Sequence, residues 1–460
     1  MNMMLLLVQM RLRKFNMMNI VIVTGLLLSK IMAQGGYSLD DCVQITLEGK
    51  KTLLSAELEV QSAGKGVTGS YSSLLPYLSA TMSSGRTQFP EREVITPDLT
   101  NFSSDTSFLN HSNNMSAGLS LNQTLYSGGR SLNQVKQAKV NLEVAQLNQR
   151  STRIQVILNV IKSYYGLLQA QELLDVAQKN LDLSNEQVAL VEKQYDLGLV
   201  NRTDLLKAKV AKGHAKVDVL NRKASLENTR RVLFNDMGLQ DFGQPITAAE
   251  EKWAGAAVPT SADAVELLKT QNPSLIVAQA RVRLGDLSYK QAKGLRLPSL
   301  GASLNYSANG EDTEELMASL EDNWTLGMNL SLSIPLYSGN SLSMQQQQAK
   351  LSRQKSEYDY LTLLNDLRVQ VELMREALKN YAEIIPIYET VVASAKEDLK
   401  LVQERYRLGA ATILEVLDAQ VSLIRSNSIL INTIHEARTQ EANMRATLGT
   451  LDKEYKIKEN

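Results

Sequence analysis

Apolar residues occupy every second position in four separate stretches of the chain. In the last of these stretches small or polar residues alternate with the apolar residues Trp324, Leu326, Met328, Leu330, Leu332, Ile334 and Leu336. Strict alternation is typical of a β-strand that has one apolar face. The pattern predicts strands at about 77–90, 114–126, 299–309 and 323–337.

Two longer stretches follow a seven-residue period instead. In the first, the apolar residues at this spacing are Val160, Leu167, Leu174, Leu181, Val188 and Tyr195. This heptad is typical of the seam between packed helices, and it predicts long helices at about 130–197 and 341–408. We expect Gly198 and Gly409 to end them, because glycine readily adopts the left-handed conformation of a helix C-terminus. Return helices are predicted at about 203–236 and 413–447.

The same blocks recur in the same order, which indicates that the chain is a duplication. The run Leu125–Gly129 returns as Leu336–Asn340 at an offset of 211 residues, whereas upstream of this run the offset is 222. The change falls between Pro76 and Leu125, and it predicts a connection of different length in the two halves. The sequence thus predicts repeat 1 at 34–239, a linker at 240–261, repeat 2 at 262–449 and a C-terminal tail at 450–460.

Residues 1–33 resemble a secretory signal peptide. Basic residues at Arg11, Arg13 and Lys14 precede an apolar run at Ile20–Leu28, and cleavage is expected near Ala33. The run is short for a membrane span, so a chain anchored by this segment is the less favoured alternative. No later apolar stretch reaches about 18 residues, which predicts that the mature chain has no transmembrane helix.

The four predicted strands fit the wall of a transmembrane barrel, although a soluble, half-buried sheet would show the same alternation. Unpaired strand edges are not tolerated in lipid, and bacterial barrels need at least about eight strands. If the strands span a membrane, several chains must therefore share one barrel. Two chains would supply eight strands and three would supply twelve, and the arithmetic does not choose between them.

The composition disfavours several functional classes. The 49 basic residues balance the 49 acidic ones, so no nucleic-acid partner is expected. The three histidines, His111, His214 and His435, are scattered and form no metal or catalytic motif. The run Gly64–Gly69 fits a dinucleotide-binding pattern but lacks the strand that should precede it. Cys42 is the only cysteine, which excludes an intrachain disulfide. The sequence therefore predicts no enzyme, no cofactor and no metal.

Glu415 and Asp418 are three residues apart and thus on one face of the predicted return helix. One interpretation is an ordinary solvated helix edge. The other is that an assembly gathers copies of these acids around an axis. Repulsion between the acids would then raise their carboxylate pKa values and attract cations.

In their order and spacing the paired blocks resemble the TolC family of outer membrane efflux proteins. The matching runs are Tyr37–Asp41, Leu125–Gly129, Tyr195–Asp204, Leu336–Asn340 and Tyr406–Ala419. The resemblance implies a mixed β-barrel and long α-helical coiled-coil barrel, in which a homotrimer forms a twelve-stranded barrel in the outer membrane of a Gram-negative bacterium. It also implies a periplasmic tunnel that works with a periplasmic adaptor (membrane fusion) protein and an inner-membrane pump, exporting small molecules or proteins by efflux or type I secretion.

The resemblance further assigns roles to single residues. It implies that Glu415 and Asp418 form the pore constriction and that Asp204 and Tyr406 are periplasmic gate contacts. Ala411 stands where an arginine of the gate is expected. The tips Gly198, Leu199, Val200 and Gly409, Ala410, Ala411 are the expected adaptor-docking residues. The alternatives are a periplasmic coiled-coil scaffold or adaptor without a membrane-spanning barrel, which should lack the alternating strands, and a solute-specific porin, which should lack the heptads.

Overall fold

A computed structural model describes residues 37–98, 103–239, 253, 255 and 258–455. The predicted signal peptide, most of the predicted linker at 240–261 and the end of the tail at 450–460 lie outside these residues. The elements are α1 (Leu39–Gly49), α2 (Lys51–Ser70), a 3₁₀ turn (Tyr71–Leu74), β1 (Tyr77–Asp98), β2 (Ser103–Ser127), α3 (Arg130–Asp196), α4 (Arg202–Met237), α5 (Ser261–Gln271), α6 (Pro273–Gly294), β3 (Ser299–Gly310), α7 (Thr313–Asp322), β4 (Thr325–Ser333), α8 (Ser341–Arg407), α9 (Ile413–Leu448) and α10 (Leu451–Glu454).

The chain divides into two compact units. We call the first, Met1–Glu57 with Leu147–Ile276 and Thr362–Asn460, the helical unit. The second, Leu58–Gln146 with Val277–Leu361, is the sheet unit. The long helices α3 and α8 have 67 residues each, and the return helices α4 and α9 have 36 each, so the helical hairpins of the two repeats are equally long. Among the described helices, none combines the length and the apolarity that a bilayer span requires.

The sheet unit contains one antiparallel sheet with the strand order β1-β2-β3-β4. Its register aligns apolar residues across all four strands, and one such row consists of Leu78, Leu121, Leu304 and Met328. The neighbouring row of Ser79, Ser120, Asn305 and Gly327 is polar or small. Side chains alternate between the two faces of a strand, so one face of the sheet is apolar and the other is not. The apolar face is open in the single chain, where Met328 is 84% exposed and Leu330 is 67% exposed.

The strands differ from the predicted bounds at three ends. β1 continues to Asp98 and β2 starts at Ser103, so this hairpin extends past the predicted limits near 90 and 114. The sequence signal fails there because few apolar residues alternate in the extension, whereas backbone pairing does not require them. β4 ends at Ser333 instead of 337, before Pro335, whose ring nitrogen cannot donate a ladder hydrogen bond.

An additional helix, α7, connects β3 and β4 and was not predicted. Asp312 caps it by accepting a hydrogen bond from the Glu315 backbone N–H at 2.8 Å. Leu316 on its inner face is buried, and the Tyr306 hydroxyl of β3 donates to the Leu320 carbonyl at 2.7 Å. The second repeat thus uses a helix where the first extends a hairpin. This difference accounts for the change of offset in that part of the sequence.

The helical unit has two separate apolar cores. The first joins α1, α3, α4 and α9, and its largest buried members include Ile157, Leu167, Leu233 and Met237. The second, which we call the tip cluster, joins the two helical hairpins beside their turns. It contains Val188, Val191, Ala208, Leu399, Tyr406, Ile413, Val416 and Ala419. The tip cluster positions the candidate site.

Candidate functional site at the helical turns

The turns that join α3 to α4 and α8 to α9 have the same hydrogen bonds. In the first, Gly198 N donates to the Tyr195 carbonyl at 2.9 Å and Leu199 N to the Gln194 carbonyl at 2.8 Å. The second turn repeats these bonds 211 residues later, from Gly409 N to Tyr406 O at 3.0 Å and from Ala410 N to Arg405 O at 2.8 Å. The φ angles of Gly198 and Gly409 are 72° and 76°. This is a Schellman ending, and glycine is favoured in it because its missing Cβ removes the steric cost of positive φ.

The turns expose backbone and large apolar side chains together. Leu197, Leu199 and Leu408 are 73%, 71% and 83% exposed, whereas Val200 and Ala411 pack partly against the tip cluster. A Cβ added at Gly198 or Gly409 would meet no atom within 4 Å. The constraint on both glycines is therefore their backbone conformation rather than a lack of space.

The two return helices begin with equivalent caps that differ in one respect. Asn201 accepts from the Asp204 backbone N–H at 2.9 Å, and Thr412 Oγ1 accepts from the Glu415 backbone N–H at 3.3 Å. In the second cap the acid side chain also bonds back to the cap residue: Glu415 Oε1 accepts from both the backbone N–H and the hydroxyl of Thr412 at 3.0 Å. Asp204 makes no such bond in the first cap. The second cap is a capping box, and it satisfies two otherwise unpaired donors.

Glu415 also faces a cation across the turn. Nη2 of Arg405, in the last turn of α8, lies 3.6 Å from Glu415 Oε2 and donates to the Ala410 carbonyl at 3.1 Å. The hydrogen bonds from the Thr412 backbone and then its hydroxyl, followed by the charge of Arg405, hold the pKa of Glu415 below its usual value. In the single chain the pKa of Glu415 is thus lowered, whereas a ring of acids that repel each other would raise it.

Asp418 lies one helical turn beyond Glu415 on α9 and is exposed. No described residue forms a hydrogen bond or an ion pair with its carboxylate. The structure therefore places the two acids of the predicted constriction near each other but in different states. Glu415 is engaged by its neighbours, whereas Asp418 is free to meet a ligand.

Tyr406 and Asp204, the predicted gate contacts, come together in the same part of the helical unit. Tyr406 belongs to the tip cluster and is only 6% exposed. Burial first, and then the negative charge of Asp204, raise the pKa of the Tyr406 phenol. Its hydroxyl is buried and has no hydrogen-bond partner among the described residues. The pair is therefore close enough to interact electrostatically but forms no hydrogen bond in the single chain.

Sequence reasoning missed two members of this site. Thr412 could have been found, because Thr-x-x-Glu before an apolar run is the signature of a capping box. Arg405 carried no such signal, since its contact with Glu415 depends on how the turn folds back. Ala411, which replaces an expected arginine, contacts the tip cluster through its methyl group.

An open apolar groove runs along the return helices α4 and α9 beside the turns. Its cavity volume is about 660 Å³, and its lining includes Leu206, Val210, Leu414, Leu417, Val421 and Ile424. Most of this lining is aliphatic, and such a surface is stabilised when a neighbouring helix removes it from water.

Comparison with known proteins gives consistent matches across both repeats. The family model described as outer membrane efflux protein matches residues 42–239 and 264–450. Outer membrane protein TolC of Vibrio cholerae is 25% identical over 424 residues, which cover 88% of this chain and 89% of that relative. The alkaline protease secretion protein AprF of Pseudomonas aeruginosa is 24% identical over 305 residues, covering 66% of this chain and 63% of the relative.

Solved structures have the same fold. The crystal structure of CusC superposes with a TM-score of 0.76 at 21% identity, covering 89% of this chain and 92% of that one. The Campylobacter jejuni CmeC outer membrane channel gives a TM-score of 0.76 at 17% identity, covering 92% and 87%. The predicted fold class, a duplicated unit of strands and a long helical hairpin, is confirmed.

Proposed function

The chain belongs to the outer membrane efflux protein family, and on this basis we propose that three copies form one export duct that works with an inner-membrane pump and a periplasmic adaptor. The duct lies in the Gram-negative outer membrane, extends into the periplasm and serves efflux or secretion. Its relatives are channel and efflux proteins, and the proposed duct likewise moves its cargo without transforming it. Membership of this family excludes the alternative of a periplasmic scaffold that lacks a membrane channel.

The open sheet is the observation that carries assembly from several copies, and the family resemblance sets their number at three. Each chain supplies four strands, and β1 and β4 at the ends of the described sheet each pair on one side only. Unpaired edges are not viable in lipid, so the sheet must continue into another copy. Its exposed apolar face, with Met328 and Leu330, suits contact with lipid. Three copies would close a barrel of twelve strands.

The helical unit also leaves apolar surface for a neighbouring copy. Large apolar side chains remain exposed along α8, at Val369, Leu373, Ile387, Val391 and Leu401. The groove beside the turns is lined by similar side chains. Both surfaces are unfavourable in water, and contact between copies would bury them. They support contacts between copies in the helical unit as well as in the sheet.

Within this duct, the turns and the first part of α9 would carry the roles that the family resemblance assigns. Glu415 and Asp418 line the pore constriction, and Asp204 with Tyr406 forms a gate contact. The exposed turn residues of Gly198–Val200 and Gly409–Ala411 meet the adaptor. Support for the gate comes from the buried Tyr406 hydroxyl beside Asp204, because an orphaned buried hydroxyl gains free energy if a small movement supplies an acceptor. We assign repeat 1 to 34–239 and repeat 2 to 262–449 of this duct.

The partner pump determines which cargo enters the duct. One relative is named for secretion of an alkaline protease and another, TtgC of Pseudomonas putida, for a toluene efflux pump. A duct of this kind therefore accepts either proteins or small molecules, and selection takes place before the cargo reaches it.

The test is the mass of the particle extracted from outer-membrane fractions in mild detergent. Native mass measurement should give three chains, and the particle should conduct ions in a planar bilayer. A monomer or a dimer as the conducting species would overturn the proposal.

A further inference from the structure

We propose that Arg405 is a third charged residue of the constriction, that it offsets the charge of Glu415, and that Asp418 therefore carries the cation selectivity of the pore. This inference rests on the proposed function, because it takes Glu415 and Asp418 to face the pore. It concerns which of the charges at that level a passing ion encounters.

The guanidinium of Arg405 is held in place by the turn itself. Its Nη2 donates to the Ala410 carbonyl at 3.1 Å, and the same nitrogen lies 3.6 Å from Glu415 Oε2. Arg405 is at the end of α8, Ala410 is in the turn and Glu415 is in the first turn of α9. The positive charge is therefore fixed at the level of the two acids, on the same hairpin.

Both oxygens of Glu415 already have partners. Oε1 accepts two hydrogen bonds from Thr412 at 3.0 Å, and Oε2 faces Arg405. A cation that approached this carboxylate would also approach the guanidinium, and the attraction and the repulsion would largely cancel. Glu415 is thus a poor candidate for an ion-binding group, although its side chain stabilises the start of α9.

The Asp418 carboxylate is exposed, and no described residue forms a hydrogen bond or an ion pair with it. The other charged residues at the end of α8, Glu404 and Arg407, pair with each other at 3.0 Å and leave no net charge. Arg405, Glu415 and Asp418 together carry a net charge of minus one. In a trimer these three residues would thus contribute minus three, whereas the two acids alone would contribute minus six.

The charge balance predicts how single and double substitutions change the cation selectivity. Arg405→Gln should increase the cation selectivity, because it exposes Glu415 to the pore. Arg405→Gln combined with Glu415→Gln should restore the wild-type selectivity, because this double variant removes a neutral pair. Asp418→Asn should abolish the selectivity. Glutamine at position 415 preserves the capping box, so the start of α9 should remain intact.

The experiment measures the K⁺/Cl⁻ permeability ratio from reversal potentials in planar bilayers at low ionic strength, where charges are screened least. Block by La³⁺ added from the periplasmic side is the second readout. We expect a severalfold higher ratio and tighter block for Arg405→Gln, wild-type values for the double variant, and loss of both for Asp418→Asn. Arg405→Lys is the matched control and should behave as wild type, since it keeps the charge.

The possible failures are distinguishable. One outcome is that the wild type is cation-selective, that Asp418→Asn abolishes the selectivity and that Arg405→Gln leaves it unchanged. The role proposed for Arg405 would then be wrong, whereas the proposed function of the duct would be unaffected. If the double variant loses selectivity, Glu415 contributes as a free acid and the inference is again wrong. If the wild type forms no channel, or neither acid affects its selectivity, the proposed constriction itself fails.

Discussion

Lys50 and Asn272 stand at equivalent positions of the two repeats and cap the C-terminal ends of equivalent helices. Lys50 Nζ donates to the carbonyls of Asn235 and Asp236 at the end of α4, at 2.8 and 2.7 Å. Asn272 Nδ2 donates at 2.6 Å to the carbonyl of Thr447 near the end of α9, which is the counterpart of Asp236 at the offset of 211 residues. The last carbonyls of a helix have no hydrogen-bond donor within the helix. Each repeat supplies donors to these carbonyls from a different type of side chain.

Replacing Lys50 with methionine should destabilise the first repeat. The lysine supplies two hydrogen bonds and a positive charge at the negative end of the α4 dipole. We expect the free energy of unfolding to fall by about 1–2 kcal/mol, as for other hydrogen bonds from charged groups that are partly exposed. Thermal unfolding in detergent measures this, and Lys51→Met, at an exposed neighbour, is the control. Equal effects of both substitutions would show that the cap contributes nothing.

A charge on the apolar face of β4 should impair membrane assembly. Leu330 pairs with Ala302 on that face, whereas Asn329 pairs with Ser303 on the other. Leu330→Lys should cost about 2 kcal/mol or more if the residue lies near the middle of the bilayer, and Asn329→Lys should be mild. The yield of trimer in outer-membrane fractions reports the difference. If the two variants assemble equally well, the apolar face does not contact lipid.

Gly409→Val should disturb the second turn and the adaptor contact together. The φ angle of 76° at Gly409 is strained for any L side chain, by roughly 1–2 kcal/mol, and more for a β-branched one. Gly409→Asn is the matched control, because asparagine tolerates this conformation better. Crosslinking to the adaptor in cells measures the effect. Normal crosslinking in the valine variant would argue that the adaptor docks elsewhere.

Cys42 should resist alkylation in the folded protein. Burial in the first core and the charge of Asp41 raise the pKa of its thiol from 9.0 to about 12. The thiolate is the reactive species, so at pH 8 the reactive fraction falls by roughly a thousandfold relative to an unfolded chain, and burial lowers access further. Maleimide labelling followed by mass measurement tests this, with Cys42→Ser plus the exposed Ser55→Cys as the control. Rapid labelling of native Cys42 would show that α1 opens readily.

The long helices and the duplication could be predicted because each rests on many residues. The seven-residue period from Val160 to Tyr195 continues over five heptads, and the glycines at 198 and 409 mark where the two long helices stop. The alternation in Trp324–Leu336 is equally regular. Errors in single positions do not erase signals of this length.

Short-range features were harder to predict. The outer part of the first hairpin, 92–98 with 103–109, pairs through backbone hydrogen bonds without an apolar alternation, so the pattern does not predict it. Helix α7 has a cap at Asp312 and one buried leucine, Leu316, which is too little periodicity to recognise. In the site, the position of Glu415 and Asp418 on one helix face follows from spacing. The guanidinium of Arg405 reaches Glu415 only because the Schellman turn reverses the chain, and spacing alone does not contain that geometry.

The two turns also constrain the symmetry of any partner that binds them. Each chain carries two turns with the same backbone, but the residue after the glycine is Leu199 in one and Ala410 in the other. Three chains would therefore present six turns in alternation, a pseudo-sixfold ring with true threefold symmetry. A partner ring of six identical subunits would have to bind two different surfaces with one sequence. Its contacts would thus have to rely on the shared backbone, because the larger side chain occurs at only every second position.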